Sequence, residues 1–120
     1  VAVSFNIAKF LFGWLTPSKP PLKADSFPPE IATACIANRN RAIRWYIAKY
    51  GTPPKVPFTA VKIVEKTIWV DGKECGAWMI SPHRIEIWRH QFPFAGSLEH
   101  EFRHALCKFN GKPYGEESVR

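Results

Sequence analysis

The residues of this chain best placed to do chemistry together are His100, Glu101 and His104, in the run His100-Glu-Phe-Arg-His104. Two histidines four apart on a helix stand one turn above each other, so both imidazoles can reach one ion. The glutamate after the first projects beside them, where it can take a proton from a metal-bound water. That chemistry is metal-assisted hydrolysis, with His100 and His104 as ligands and Glu101 as general base. A zinc ion used this way takes a third protein ligand and keeps its fourth position for water. No histidine follows His104, and the carboxylates after the motif are Glu116 and Glu117. Either can supply the third ligand, with Glu117 preferred; an ordinary acidic first turn is the competing reading. His83 and His90 are read as surface histidines that could also assist the metal or an oxyanion. Tyr114 is either an oxyanion donor or a packing aromatic near a turn.

These side chains need a helix that offers them one face. Ser97 is expected to cap its start, with Glu99 in the first turn. Lys108 falls in the last turn, and Asn110-Gly111 ends the helix. At about 100° per residue, with His100 at 0°, His104 falls near 40° and Glu101 near 100°. Ala105, Leu98, Phe109, Phe102 and Leu106 fall between roughly 140° and 240°. The apolar stripe thus lies opposite the histidines, leaving H-E-x-x-H to line a cleft. The reversal at Asn110-Gly111 can bring a following short helix, with Glu116 and Glu117, back over the site.

The rest of the chain supplies the scaffold. Residues 30–50 read as a helix, begun by Pro28-Pro29 and Glu30 and stopped by Gly51 and Pro53. Ile31, Cys35, Ile43, Tyr46, Ile47 and Tyr50 mark its buried side, with Arg39, Arg41 and Arg44 mostly off that side as a solvated basic face. From Phe58 the period becomes two. Thr67–Val70 runs into Asp71-Gly72, a two-residue hairpin signal, and continues through Cys75–Ile80. Arg84–Arg89 alternates with Ile85 and Ile87 inward, as expected of an outermost strand. The expected fold is α+β: a helix on a small antiparallel sheet, then the H-E-x-x-H helix and a short glutamate helix.

The motif resembles that of a zincin metallopeptidase, more closely the small gluzincins (minigluzincins) and the short metallopeptidase-like proteins of phages. The order of elements over residues 30–120 and the segment Cys75-Gly-Ala-Trp78 share that resemblance. It implies a zinc peptidase in which His100, His104 and Glu116 or Glu117 hold the metal. Glu101 would be the base, and the strand Arg84–Arg89 would pair with an extended substrate peptide. The gluzincin pattern continues with an aspartate four positions after the ligand glutamate, whereas Arg120 stands four after Glu116.

Two segments precede that domain. Residues 1–16 are apolar with polar positions at helical spacing, and read as an amphipathic helix. It either packs on the domain or a second copy, or lies on a membrane surface. Residues 17–29, rich in proline, read as an extended linker.

The chain has 120 residues, enough for one domain, and 46% are hydrophobic, which excludes a disordered tail. No period recurs, excluding repeat arrays. Lys+Arg 17 against Asp+Glu 10 gives a net charge of +7. This balance favours acidic partners and supports a rival reading: a nucleic-acid-binding or virion- or membrane-associated module with a structural or silent zinc site. Three cysteines without paired spacing suit a reducing compartment better than a disulfide framework.

Overall fold

The computed structural model describes residues 3–6, 29–91 and 96–120. Their elements, in order, are β1 (Val3–Asn6), α1 (Pro29–Tyr50), β2 (Ala60–Val64), β3 (Ile68–Val70), β4 (Lys73–Cys75), β5 (Ala77–Ser81), β6 (Arg84–Trp88), a short 3-10 turn (Arg89–Gln91) and α2 (Ser97–Phe109). The architecture is α+β, as the change of period from helical to alternating implies. One layer is a four-stranded sheet ordered β1-β2-β6-β5, and β3 and β4 form a separate two-stranded sheet. Val61, Ile63, Met79, Ile85 and Ile87 are buried in one core with α1 and α2.

The sheet is mixed, not antiparallel. β6 runs parallel to β2, with Val61 opposite Ile85 and Ile63 opposite Ile87. The hairpin between them is the physical reason. Asp71 and Gly72 both take positive φ (52° and 76°), so β3 and β4 close on themselves rather than extending β2. The chain then returns through β5, which is antiparallel to β6. β6 is therefore an inner strand, and the sheet edge on that side is β5, not Arg84–Arg89. A register shift lies between Met79 and Ser81 at this edge.

Residues 3–6 correct the expected helix over 1–16 in part, because they form a strand antiparallel to β2. Residues 7–16 and most of the proline-rich segment lie outside the described residues. Pro29 already belongs to α1.

α1 buries Ile31, Cys35, Asn38, Arg39, Ala42 and Tyr46, while Ile47 is 38% exposed. The buried stripe is thus rotated from the expected one, and Arg39 lies inside it. Its Nη2 donates to Asn40 Oδ1 at 2.5 Å, but Nε and Nη1 have no partner among the described residues. Burial lowers the Arg39 guanidinium to about 10, because the charged form loses its water. Arg41 is also engaged: its Nε donates to Glu99 Oε1 at 2.9 Å, tying α1 to α2. Arg44 alone of the three is exposed.

Candidate metal centre

α2 begins one residue earlier than its sequence signal. Gly96, at φ 108°, occupies the cap position, and Ser97 is the first helical residue. Gly96 O accepts from the His100 N–H at 2.8 Å. Such a φ excludes most side chains, so glycine rather than serine sets the start. Glu99, in the positive first turn, accepts from both Arg41 and Arg103.

The other end is closed by two backbone bonds, Lys112 N–H to Cys107 O at 2.8 Å and Gly111 N–H to Lys108 O at 3.3 Å. This is the Schellman pattern, and Gly111 supplies its left-handed residue at φ 69°. The Asn110 amide reinforces it by donating to Leu106 O and Lys55 O, each at 2.8 Å. The chain is thereby sent back along α2, as the Asn110-Gly111 signal implies.

What returns is a single turn, not a helix. Ser118 N–H and Val119 N–H both donate to Gly115 O, and no further helical bond follows among the described residues. Val119 is fully buried and anchors this turn in the core. Burial of a valine contributes about 1.5 kcal/mol or more. Arg103, the fourth residue of the motif, holds the same turn: its Nη1 donates to Val119 O at 3.0 Å. Its guanidinium lies 4.9 Å from the centre of the Trp45 ring, and Nη2 donates to Glu99 Oε2 at 2.5 Å. Lys49 Nζ donates to Ser118 O.

The turn brings Glu116, not the preferred Glu117, to the histidines. Glu116 Oε2 lies 2.8 Å from His100 Nε2, and Oε1 lies 3.0 Å from His104 Nε2. The two Nε2 atoms are 3.1 Å apart. Glu117 is exposed, with no contact to either histidine among the described residues.

Electrostatics sharpen the picture. His104 Nδ1 faces Tyr114 O at 2.5 Å. A carbonyl can only accept, so Nδ1 carries a proton and donates, which leaves Nε2 to face His100 and Glu116. The two Nε2 atoms and the two Glu116 oxygens then face one another, an approach that needs a proton or a metal ion among them. A histidine that ligates a metal through one nitrogen commonly donates from the other to a carbonyl. Ligands of a tetrahedral zinc, each about 2.0–2.1 Å from the ion, stand roughly 3.3 Å apart. The atoms here stand 2.8–3.1 Å apart, a little closer than that spacing. Burial opposes ionisation of Glu116, but the two imidazoles outweigh it and hold its carboxyl below the usual value.

Glu101 sits beside this group on the buried side. Its Oε1 accepts from the Met79 N–H of edge strand β5 at 2.8 Å. Burial pushes its carboxyl up to about 7, opposed by the His104 ring and the Met79 N–H. His100, Glu101 and His104 form a group that could hold a metal ion, their ligand atoms within 4.8 Å of one another. A cleft of about 400 Å³ opens onto Glu101, His104 and Glu116, walled by Trp78, Met79 and Ile80 of β5 and by Tyr114 and Gly115 of the returning turn.

The other sequence candidates fall elsewhere. His83 Nδ1 is 2.8 Å from Phe58 O, and its ring meets Phe109 edge-on at 5.6 Å. That contact leaves Phe109 at the rim of the apolar stripe, 40% exposed. The His90 ring packs against Trp88 at 4.7 Å. Tyr114 contributes its carbonyl to His104, while its ring is near the Lys108 ammonium, 5.1 Å from Nζ. Sequence reading missed Arg103 and Val119 as anchors of the turn and the Met79 N–H as partner of Glu101. The first had a signal, a basic residue inside H-E-x-x-H with no carboxylate four positions after Glu116. The last had none, since a backbone N–H is the same in almost every residue.

Comparison of the chain with family models, with curated proteins and with solved structures finds no match.

Proposed function

We propose that this chain is a zinc-dependent peptidase of the gluzincin type, hydrolysing amide bonds with Glu101 as general base. One observation carries the reading: both Nε2 atoms and the Glu116 carboxylate converge within 3.1 Å, with the Glu101 carboxylate beside them in the same cleft. His100, His104 and Glu116 would hold the zinc. When bound, the ion lowers the pKa of a water to about 7 and polarises the scissile carbonyl. Glu101 accepts the proton of the attacking water and returns it to the leaving amine. Its Oε1 is occupied by Met79 N–H, so the proton is handled at Oε2. Tyr114 O keeps the His104 ring in the tautomer that offers Nε2. β5 borders the cleft with its free edge, where an extended peptide can add as a further strand.

Bound metal is the first measurement. Protein purified without added zinc is expected to carry about one zinc per chain by elemental analysis, and His104→Ala to carry none. No metal in the wild type, even after zinc is supplied, would end the peptidase reading. Salt-sensitive nucleic-acid binding unaffected by Glu101→Gln would then favour the binding-module alternative.

Arg103 enters as a positioning residue. It fastens the Glu116 turn to α2 and α1 without touching the ligand atoms. Arg103→Gln is expected to weaken zinc affinity about tenfold, in the range of losing an outer partner of a ligand. Competition with a chelating dye measures this, and an unchanged far-UV circular dichroism spectrum separates it from loss of fold.

A further inference from the structure

We infer that the cleft binds a carboxylate at Lys108, one helical turn beyond His104: the free C-terminus or an acidic side chain of the bound peptide. This deepens the peptidase reading and rests on it for the ligand's being a peptide. α2 places His100, His104 and Lys108 at successive steps of four, so Lys108 follows His104 along the same face at a rise of about 6 Å. On the helical wheel it falls near 80°, between His104 and Glu101. Lys108 accordingly lines the cleft that His104, Glu101 and Glu116 share.

Its charge is the unmatched one there. Among the described residues lining the cleft, Lys108 is the one lysine or arginine. Both carboxylates of the cleft are engaged elsewhere, Glu101 by Met79 N–H and Glu116 by the two imidazoles. No carboxylate pairs with Lys108 among the described residues, whereas Arg41, Arg84 and Arg103 each have one. The Tyr114 ring, 5.1 Å from Nζ, holds the ammonium at the cleft wall, and a ring face leaves N–H groups of an ammonium for another acceptor. An extended peptide advances about 3.3 Å per residue. A cation one helical turn from His104 therefore meets the chain about two residues from the bond held at the histidines. Lys108 is in reach of the first residues beyond that bond.

Fluorescence anisotropy on the full chain tests this with three dye-labelled pentapeptides of leucine and alanine. One ends in a free carboxylate, one in an amide, and one is amidated with glutamate replacing its last alanine. Glu101→Gln serves as the background so that the peptides survive. At least one carboxylate-bearing peptide is expected to bind about fivefold tighter than the neutral one, as for an ion pair at an open cleft. Lys108→Met should erase that difference, Lys108→Glu should invert it, and added salt should narrow it. A difference confined to the free terminus assigns Lys108 to the peptide end, and one confined to glutamate assigns it to a side chain. Lys108 is exposed, so both variants keep the fold, which circular dichroism checks. Equal binding of all three peptides, no binding of any, or a preference untouched by both Lys108 variants overturns the inference. Zinc content and turnover are read separately. A protein lacking both that still shows the Lys108-dependent difference loses the peptidase reading and keeps the carboxylate site.

Discussion

Glu101→Gln is expected to lower peptide cleavage by about three orders of magnitude while zinc stays at about one ion per chain. The substitution keeps shape and volume, and the amide oxygen can still accept from Met79 N–H, as the carboxylate does at 2.8 Å. What it removes is the atom that takes the proton, and a carboxamide is not a base near neutral pH. Because Glu101 is buried, exchanging a carboxylate for a neutral amide also spares the protein a desolvated charge, so loss of fold is not expected. Single-turnover cleavage of a fluorogenic peptide library, with elemental analysis of the same samples, makes the measurement. Retained turnover would sink the mechanism, and loss of zinc along with activity would make Glu101 a ligand instead of a base.

Glu116→Gln and Glu117→Gln should part company just as sharply. Glu116 reaches both imidazoles at 2.8 and 3.0 Å, so its substitution is expected to weaken zinc binding by at least about 100-fold, the upper end of what even an outer partner costs. Glu117 points to solvent, and its substitution should leave zinc affinity unchanged. Competition against a chelating dye reads both. The zinc-dependent rise in melting temperature gives a second readout, since stabilisation grows as RT ln(1 + [L]/Kd) and vanishes when affinity does. The opposite result, Glu117 needed and Glu116 dispensable, would mean that the turn seats one residue further along when metal binds. Val119 opposes such a shift, because moving the turn would draw a fully buried side chain out of the core.

The anchoring of that turn answers the departure from the gluzincin pattern. Where that pattern has an aspartate after the ligand glutamate, this chain has Arg120, which is exposed. His104 donates its outer hydrogen bond to a backbone carbonyl, Tyr114 O. Arg103 and Val119 hold the turn from beneath. A carboxylate carried on a turn instead of a helix relies on these tethers for its position beside the histidines.

Some of this was legible residue by residue. The four-residue spacing of His100 and His104, the apolar stripe of Leu98, Phe102, Ala105 and Leu106, and the reversal at Asn110-Gly111 are local patterns. They depend on 3.6-residue periodicity and on a glycine that tolerates positive φ. The Asp71-Gly72 hairpin is of the same kind. Alternation alone places Ile85 and Ile87 inward, and both are fully buried. In each case the physics acts within a few residues, so the order of residues is enough.

Strand direction, strand neighbours and the identity of the glutamate are different in kind. Alternation says that a segment is a strand with one wet face, but two strands of the same pattern pair equally well in either direction. The closed β3–β4 hairpin, by keeping out of the main sheet, made β6 parallel to β2 and left β5 at the edge. Arg39 shows the limit on helices: a small rotation of α1 carries a cation into the buried stripe, and only the surfaces packed against the helix set that rotation. Glu116 and Glu117 are neighbours of identical chemistry. The burial of Val119 and the bond from Arg103 fix the rotation of their turn, and so the carboxylate that meets the histidines. Residue types and spacing therefore fixed which atoms this protein has available for chemistry. Long-range packing, acting between segments far apart in the chain, chose which of them meet.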